Sequence, residues 1–268
     1  MVTKCYFCGM FQFLSFIRYL FFTRSRAGAG IPDPFVAQLL TCCLRSSRHK
    51  SNRIAENIRA QAGRSGELLE VEDHGAGTRK HLSHIRPLGK IMRQTAISRK
   101  SGQILSAVAA YYRPVMILEL GTGLGISTLY MACGNPAARI ITIEGSSEIA
   151  KRASMHFKTA GYNNIRVTEG KFDDILPAVL SEKQHPLMVF IDGDHRRSGL
   201  LDNISLLMPV IQDDSILVID DIHLSREMDR AWSEIISMPE VCLSVDLFRL
   251  GLLFFRKEIC KQHLVMRI

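Results

Sequence analysis

From residue 101 onward the chain alternates short apolar runs with segments of helical periodicity. The runs are VMILEL (115–120), RIITIE (139–144), NIRVTEG (164–170), PLMVFIDG (186–193) and SILVIDDI (215–222). The segments between and after them predict helices over 126–133, 147–160, 173–182, 199–208 and 226–238. Strands joined by crossover helices run parallel and are covered on both faces, so they read as near-continuous apolar stretches. The end of the chain breaks this rhythm. VCLSVDLF (241–248) and LGLLFF (250–255) are separated by Arg249 alone, too close for a crossover helix, and predict an antiparallel hairpin. The fold class is α/β, a doubly wound parallel sheet with an antiparallel edge.

The first hundred residues follow another pattern. YFCGMFQFLSFIRYLFF (6–22) sets Phe7, Met10, Phe11, Leu14, Ile17 and Phe21 on one helical face, with Arg18, Arg24 and Arg26 near its end. The apolar run is broken by Arg18 and falls short of the ~20 residues that a spanning helix needs. No small-residue cleavage site follows a clean apolar core, which argues against a secretory leader. Two uses stay open: docking on the chain's own domain or on a second copy in a homodimer, or peripheral contact with a membrane surface. Residues 45–100 are polar and basic, with helical stretches and a loop around EDHGAGTRKH (72–81). The expected organisation is a helical, basic N-terminal segment or lid over 1–100 and a globular domain over 101–268.

Charge sharpens this division. Residues 1–100 hold 17 Lys and Arg against 6 Asp and Glu, a net +11, and the remainder carries −3 of the chain's net +8. The basic stretch lacks interleaved aromatics or a recognisable module, so no nucleic-acid partner is expected. Seven cysteines, at 5, 8, 42, 43, 133, 242 and 260, form no disulfide framework. Cys5 and Cys8 with Cys42 and Cys43 could suggest zinc, but adjacent cysteines seldom both reach one metal and no second C-x-x-C follows, so zinc is not expected. Such usage fits a reducing, cytoplasmic setting.

LELGTGLGIST (118–128) carries the first candidate chemistry. Ligands of doubly wound sheets bind beyond the carboxyl ends of the strands, where this loop falls. It is not a P-loop, since no Gly-Lys-Ser/Thr follows. It is not the dinucleotide fingerprint either, whose third glycine would fall at Ile126. Glu119, two residues before Gly121, would repel a pyrophosphate but attract an ammonium group. Glu144 ends the second strand, where a carboxylate can accept both hydroxyls of a ribose. An amino-acid ammonium and a ribose without a pyrophosphate describe S-adenosylmethionine.

At these residues the chain resembles the class I S-adenosylmethionine-dependent methyltransferases. The similarity runs through ILELGTGLGIST, ITIEGSSEIAKRA, VTEGKFDDILP, LMVFIDGDHRRSG, LVIDDIHLSREM and DLFRLGLLFFRK, covering residues 98–258. The resemblance implies a Rossmann-like sheet of order 3-2-1-4-5-7-6. It implies a cofactor held by Glu119, Gly121, Thr122, Gly123 and Ser127 around the methionine moiety and by Glu144, Gly145 and Ser146 around the ribose. Gly170, Lys171 and Phe172, with Asp173 as a further candidate, would border the adenine, and Asp192 would lie beside the cofactor.

The acceptor chemistry rests on the next strand ends. Asp192 ends the fourth strand and Asp220 and Asp221 end the fifth. Three converging carboxylates repel unless compensated, and a divalent cation such as magnesium, calcium or manganese would compensate them. The arrangement resembles cation-dependent O-methyltransferases of the catechol and caffeoyl-CoA type, which carry Asp-Asn where this chain has Asp-Asp, as some sugar O-methyltransferases do. The resemblance places a lysine base three residues after the first Asp; here that residue is His195, whose imidazole can take a proton near neutral pH. His223 is a second candidate on the same rim, Asp194 reads as a turn residue, and Trp232 reads as core.

The function expected is cation-assisted O-methylation of a small-molecule hydroxyl, with His195 and Asp192 as catalytic residues. Two alternatives stand: a metal-independent methyltransferase on another acceptor, and a membrane-apposed module that binds the cofactor without catalysis. The Asn-Pro-Pro-Tyr signature of amino-group methylation is missing after the fourth strand.

Overall fold

A computed structural model of the chain describes residues 52–72 and 83–266, and in the front segment residues 11, 12, 15–17, 19, 20, 34, 37, 38 and 41. The chain divides into two compact units, Cys42–Val189, and Phe190–Ile268 with Met1–Thr41.

The first unit opens with α1 (Arg53–Arg64), the strands β1 (Leu68–Glu72) and β2 (Ser83–Pro87), α2 (Leu88–Thr95) and α3 (Arg99–Tyr112). Asn52 and Ser98 start α1 and α3, each accepting a backbone N–H three residues on, at 3.1 Å in both cases. β1 and β2 form an antiparallel pair with Leu69 opposite Arg86 and Val71 opposite His84. The reading of this region as helix and loop thus missed a strand pair. Its signal is a two-residue alternation, in which Leu69 and Val71 are buried while Leu68 and Glu70 are exposed. Most of the EDHGAGTRKH loop lies outside the described residues.

The main strands follow: β3 (Met116–Leu120), β4 (Arg139–Glu144), β5 (Ile165–Glu169) and β6 (Leu187–Ile191), the last beginning in this unit and ending in the other. Their order is β6-β3-β4-β5. β3 and β6 are buried throughout, whereas the edge strand β5 is only partly covered. β4 is parallel to β3 and β5, with Leu120 opposite Ile143 and Glu144 opposite Glu169, so the three carboxyl ends finish level. Helices α4 (Ile126–Gly134), α5 (Ser147–Thr159) and α6 (Phe172–Ser181) are the crossovers.

In the second unit the chain continues through α7 (Arg197–Leu207), a short 3-10 turn (Met208–Val210), β7 (Ile216–Ile219), α8 (Arg226–Ser237), β8 (Leu243–Asp246), β9 (Gly251–Phe254) and β10 (Gln262–Val265). The order here is β10-β8-β9-β7-β6. β9 is antiparallel to β7 and β8, with Leu243 opposite Phe254, which is the hairpin expected from the spacing around Arg249. Each unit carries its part of the expected strand order. β10, which pairs parallel to β8 as the outermost strand, was not anticipated: QHLV is too short and mixed to announce a strand. Trp232 is core, packed where a side chain on Gly251 would strike its ring at 2.5 Å.

Described residues of the front helix pack within this same unit. Phe16 meets Phe248 edge-on with ring centroids 5.0 Å apart, and Tyr19 lies 5.2 Å from the same ring. The buried Tyr19 hydroxyl donates to the Met266 carbonyl, and the Arg226 guanidinium sits 5.9 Å from the Phe11 ring centre. Phe16 and Tyr19, which are not on the face expected from the apolar spacing, reach Phe248, while Phe11 of that face meets Arg226. Of that expected face, Phe7, Met10, Leu14 and Phe21 lie outside the described residues. Among the described residues no helix is long and apolar enough to cross a membrane.

Candidate active site

The first unit gathers its candidate residues at the level ends of β3, β4 and β5. After Leu120 the backbone passes through three left-handed glycines, Gly121 (φ 98°), Gly123 (φ 51°) and Gly125 (φ 81°), before α4 begins. Two of these have different reasons to be glycine. A Cβ on Gly125 would strike the Phe157 ring at 2.5 Å, whereas one on Gly123 would find nothing nearer than the Thr95 hydroxyl at 4.0 Å. The loop hangs on β4: the N–H groups of Gly121 and Thr122 both donate to the Ile143 carbonyl, at 3.0 and 3.2 Å, and the hydroxyls of Thr122 and Thr142 meet at 2.6 Å.

Glu144 ties the candidates together. Its Oε2 accepts the Gly123 N–H at 2.9 Å, its Oε1 accepts the Ser146 N–H at 3.0 Å, and its carbonyl accepts the Gly170 N–H at 2.9 Å. One residue thus joins the loops after all three strands. Ser146, 2% exposed at the start of α5, has a buried hydroxyl without a hydrogen-bond partner. A buried unsatisfied hydroxyl is costly and fits a site that a polar ligand completes. Gly170 holds φ 144°, Lys171 caps α6, half-buried Phe172 opens that helix, and Asp173 and Asp174 are exposed in its first turn.

Glu119 sits differently from its partners. It is 0% exposed, and its two carboxylate oxygens accept the hydroxyls of Ser127 and Thr128 from the first turn of α4, each at 2.5 Å. Burial pushes its pKa up to about 7; the hydroxyls of Ser127, Thr128 and Thr142 work against that rise and the charge of Glu144 adds to it. Glu119 and Ser127 therefore fasten α4 to β3 beneath the glycine loop.

The second unit carries the acidic candidates. Asp192 follows β6, and its Oδ1 lies 3.8 Å from the His195 Nε2. Burial holds the His195 imidazole below its usual pKa; the charges of Asp221 and Asp194 oppose this and that of Arg249 reinforces it, so the ring is neutral near pH 7. Asp194 is a turn residue, as expected, with φ 51° and both oxygens accepting from Arg196 at 2.5 Å. Asp220 is 3% exposed; its N–H donates to the Ile191 carbonyl at 2.9 Å and its Oδ1 accepts the Asp221 N–H at 2.9 Å. Burial, then the neighbouring Asp221 charge, push its pKa up to about 7, against the pull of Arg249.

Asp221 (φ 53°) faces a residue that was not singled out from the sequence. Its Oδ1 accepts two N–H groups of Arg249, from Nε at 3.1 Å and Nη2 at 2.7 Å. Arg249 thus supplies a positive charge beside Asp221 that the sequence reading did not include. Among the described residues no group of three His, Cys, Asp or Glu side chains is placed to hold a metal ion. Asp221 is engaged by Arg249, and the buried Asp220 accepts the Asp221 N–H. The nearby His223 is a structural clamp. Its Nδ1 meets Asp229 and its Nε2 meets Asp246, both at 2.7 Å. Burial opposes its charge, but those two carboxylates raise its pKa to about 9.

Residues 118–222 match the model of a methyltransferase domain family. A transmembrane O-methyltransferase homolog of Rattus norvegicus is 28% identical over 151 residues, covering 55% of this chain and 54% of that protein. A catechol O-methyltransferase of Niastella koreensis is 36% identical over 102 residues, covering 37% of this chain and 46% of that protein. The chain thus spans about half the length of the curated relatives that it matches. A solved O-methyltransferase from Bacillus cereus in complex with S-adenosylhomocysteine (SAH) superimposes with a TM-score of 0.52 at 21% identity, over 60% of this chain and 83% of that one, a likeness of fold.

Proposed function

We propose that this chain, which carries a class I S-adenosylmethionine-dependent methyltransferase domain, transfers the sulfonium methyl group to a hydroxyl of a small-molecule acceptor. The observation that carries the reading is the Glu144 node, with the unmatched Ser146 hydroxyl beside it. The loops that the node joins would take the three parts of the cofactor: Gly121–Gly123 the methionine moiety, Glu144 to Ser146 the ribose, and Gly170–Phe172 the adenine. Glu119 and Ser127 would act from beneath, by fixing the loop.

In the transfer, the acceptor oxygen attacks the methyl carbon in line with the carbon–sulfur bond. An O–C bond forms, the C–S bond breaks with its electron pair passing to sulfur, and SAH leaves. Positioning supplies most of the acceleration, since the leaving thioether needs no acid. The acceptor's proton needs a base, and His195 is suited because its lowered pKa keeps it neutral. Asp192, 3.8 Å from its ring, would orient it. A divalent cation, which the resemblance to catechol-type enzymes implies, does not fit this donor set, and no step is assigned to one. O-methylation of a small molecule follows the named activity of the relatives.

Calorimetric titration of the full chain with SAH tests the reading. Micromolar binding, lost in Glu144→Ala, is the expected result. No binding to a folded protein would refute it.

A further inference from the structure

The acidic strand ends of the second unit contain a cation of their own. Asp192, Asp220 and Asp221 place three carboxylates after β6 and β7, and the charge of Arg249 acts on all three while its N–H groups bond Asp221 directly. The arginine is not a surface side chain that happens to lie nearby. It occupies the turn between β8 and β9, where the Leu247 N–H donates to the Leu250 carbonyl at 2.9 Å and the Phe248 N–H donates to Asp246 Oδ1 at 2.7 Å. Asp246 is in turn gripped by His223, and His223 by Asp229. The backbone carbonyl of Arg249 accepts the N–H of Ile222, the residue after Asp221, at 3.3 Å. The hairpin turn is therefore stitched to the exit of β7, and the guanidinium is delivered to Asp221 by fixed backbone.

A planar guanidinium suits this position. It cannot be titrated away near neutral pH, and its fork can hold a carboxylate while further N–H groups face outward. The Arg249 side chain is 52% exposed, so it meets both the carboxylates and solvent. A dication at Asp221 would compete with this ion pair.

We infer that Arg249 is the resident counter-cation of the acidic site, in place of a divalent metal; this does not rest on the methyl-transfer reading above. The consequence is a protein indifferent to magnesium, manganese and chelators.

The test is a titration of the full chain with Mn²⁺, followed by calorimetry and by water-proton relaxation. The wild type should show no saturable uptake up to millimolar Mn²⁺. Arg249→Met, which removes the cation bonded to Asp221, should gain affinity by tenfold or more. Arg249→Lys, which keeps the charge, should behave as the wild type and serves as the folded control. Stoichiometric Mn²⁺ uptake by the wild type, lost in Asp220→Asn, would overturn the inference. Failure of Arg249→Met to gain affinity while folded would do the same. SAH titration of the same samples keeps the two readings apart: loss of cofactor binding sinks the methyl-transfer reading and leaves the Mn²⁺ result standing.

Discussion

The Glu144 carboxylate accepts the Gly123 N–H at 2.9 Å, so the acid that ends one strand holds open the glycine loop that ends its neighbour. Glu144→Ala removes that acceptor and the one for Ser146 N–H together. Two charge-assisted bonds of about 1–2 kcal/mol each predict a loss of SAH affinity of about 30-fold to 1,000-fold. Glu144→Gln should lose less, because an amide oxygen can still accept one N–H; equal losses in the two variants would contradict this account.

Gly123 and Gly125 separate strain from crowding. Both hold positive φ, but only Gly125 also faces a ring, Phe157, where a Cβ would stand. Gly123→Ala should cost about 1 kcal/mol of stability, and Gly125→Ala about 2–4 kcal/mol. Urea denaturation of the two variants measures the difference. For cofactor binding we expect the opposite weighting per unit of lost stability, since the space beside Gly123 is open.

Glu119 makes stability depend on pH. Its folded pKa, about 7, lies above the ordinary carboxylate value of 4.5, so the folded chain holds the proton more tightly than the unfolded chain. That contribution is fully present below about pH 4.5 and is lost as pH rises through about 7. Glu119→Gln should flatten this part of the stability profile and be at least as stable as the wild type at pH 8. Its SAH affinity should fall less than tenfold, about 1.4 kcal/mol, because the side chain anchors the loop from below. A much larger loss would mean that Glu119 meets the ligand's ammonium directly.

His223 predicts a second pH window of its own. Clamped between Asp229 and Asp246, its pKa of about 9 stands above the unfolded value near 6.5. The clamp's contribution, at most about 3 kcal/mol, is fully present below pH 6.5 and is lost as pH rises through about 9. The thermal midpoint of His223→Gln should be lower than wild type at pH 6 and converge with it near pH 10. A constant difference would point to packing rather than charge.

For His195→Ala we expect kcat to fall by about 10²–10³ with little change in SAH affinity. The acid limb of the wild-type rate profile should sit below pH 6.5, because burial lowers the imidazole's pKa. An unchanged kcat would remove His195 as the base.

How much could be read from the sequence depended on how local each signal was. β3, β4, β6 and β7 are visible because strands covered on both faces must be apolar along their length, and the hairpin because one residue cannot span a crossover. β1 escaped because its alternation lasts only five residues inside a charged stretch. Glu119, Glu144 and the glycine loop were legible as a set, but the inward turn of Glu119 depends on the hydroxyls of Ser127 and Thr128, which only the first turn of α4 brings to it. Arg249 was passed over as a hairpin spacer. Its partner lies 28 positions away, and only the stitching of the turn to Ile222 brings the two together.

The parallel pairing of β10 with β8 governs how the chain behaves outside its native state. β8 is buried along its length and β10 shields its backbone edge, while the Met266 N–H donates to the Asp246 carbonyl and its own carbonyl receives the Tyr19 hydroxyl. Cutting the chain after residue 261 would bare an apolar strand edge, a ready template for another chain to add to. A truncation intended to trim a loose end would instead seed aggregates.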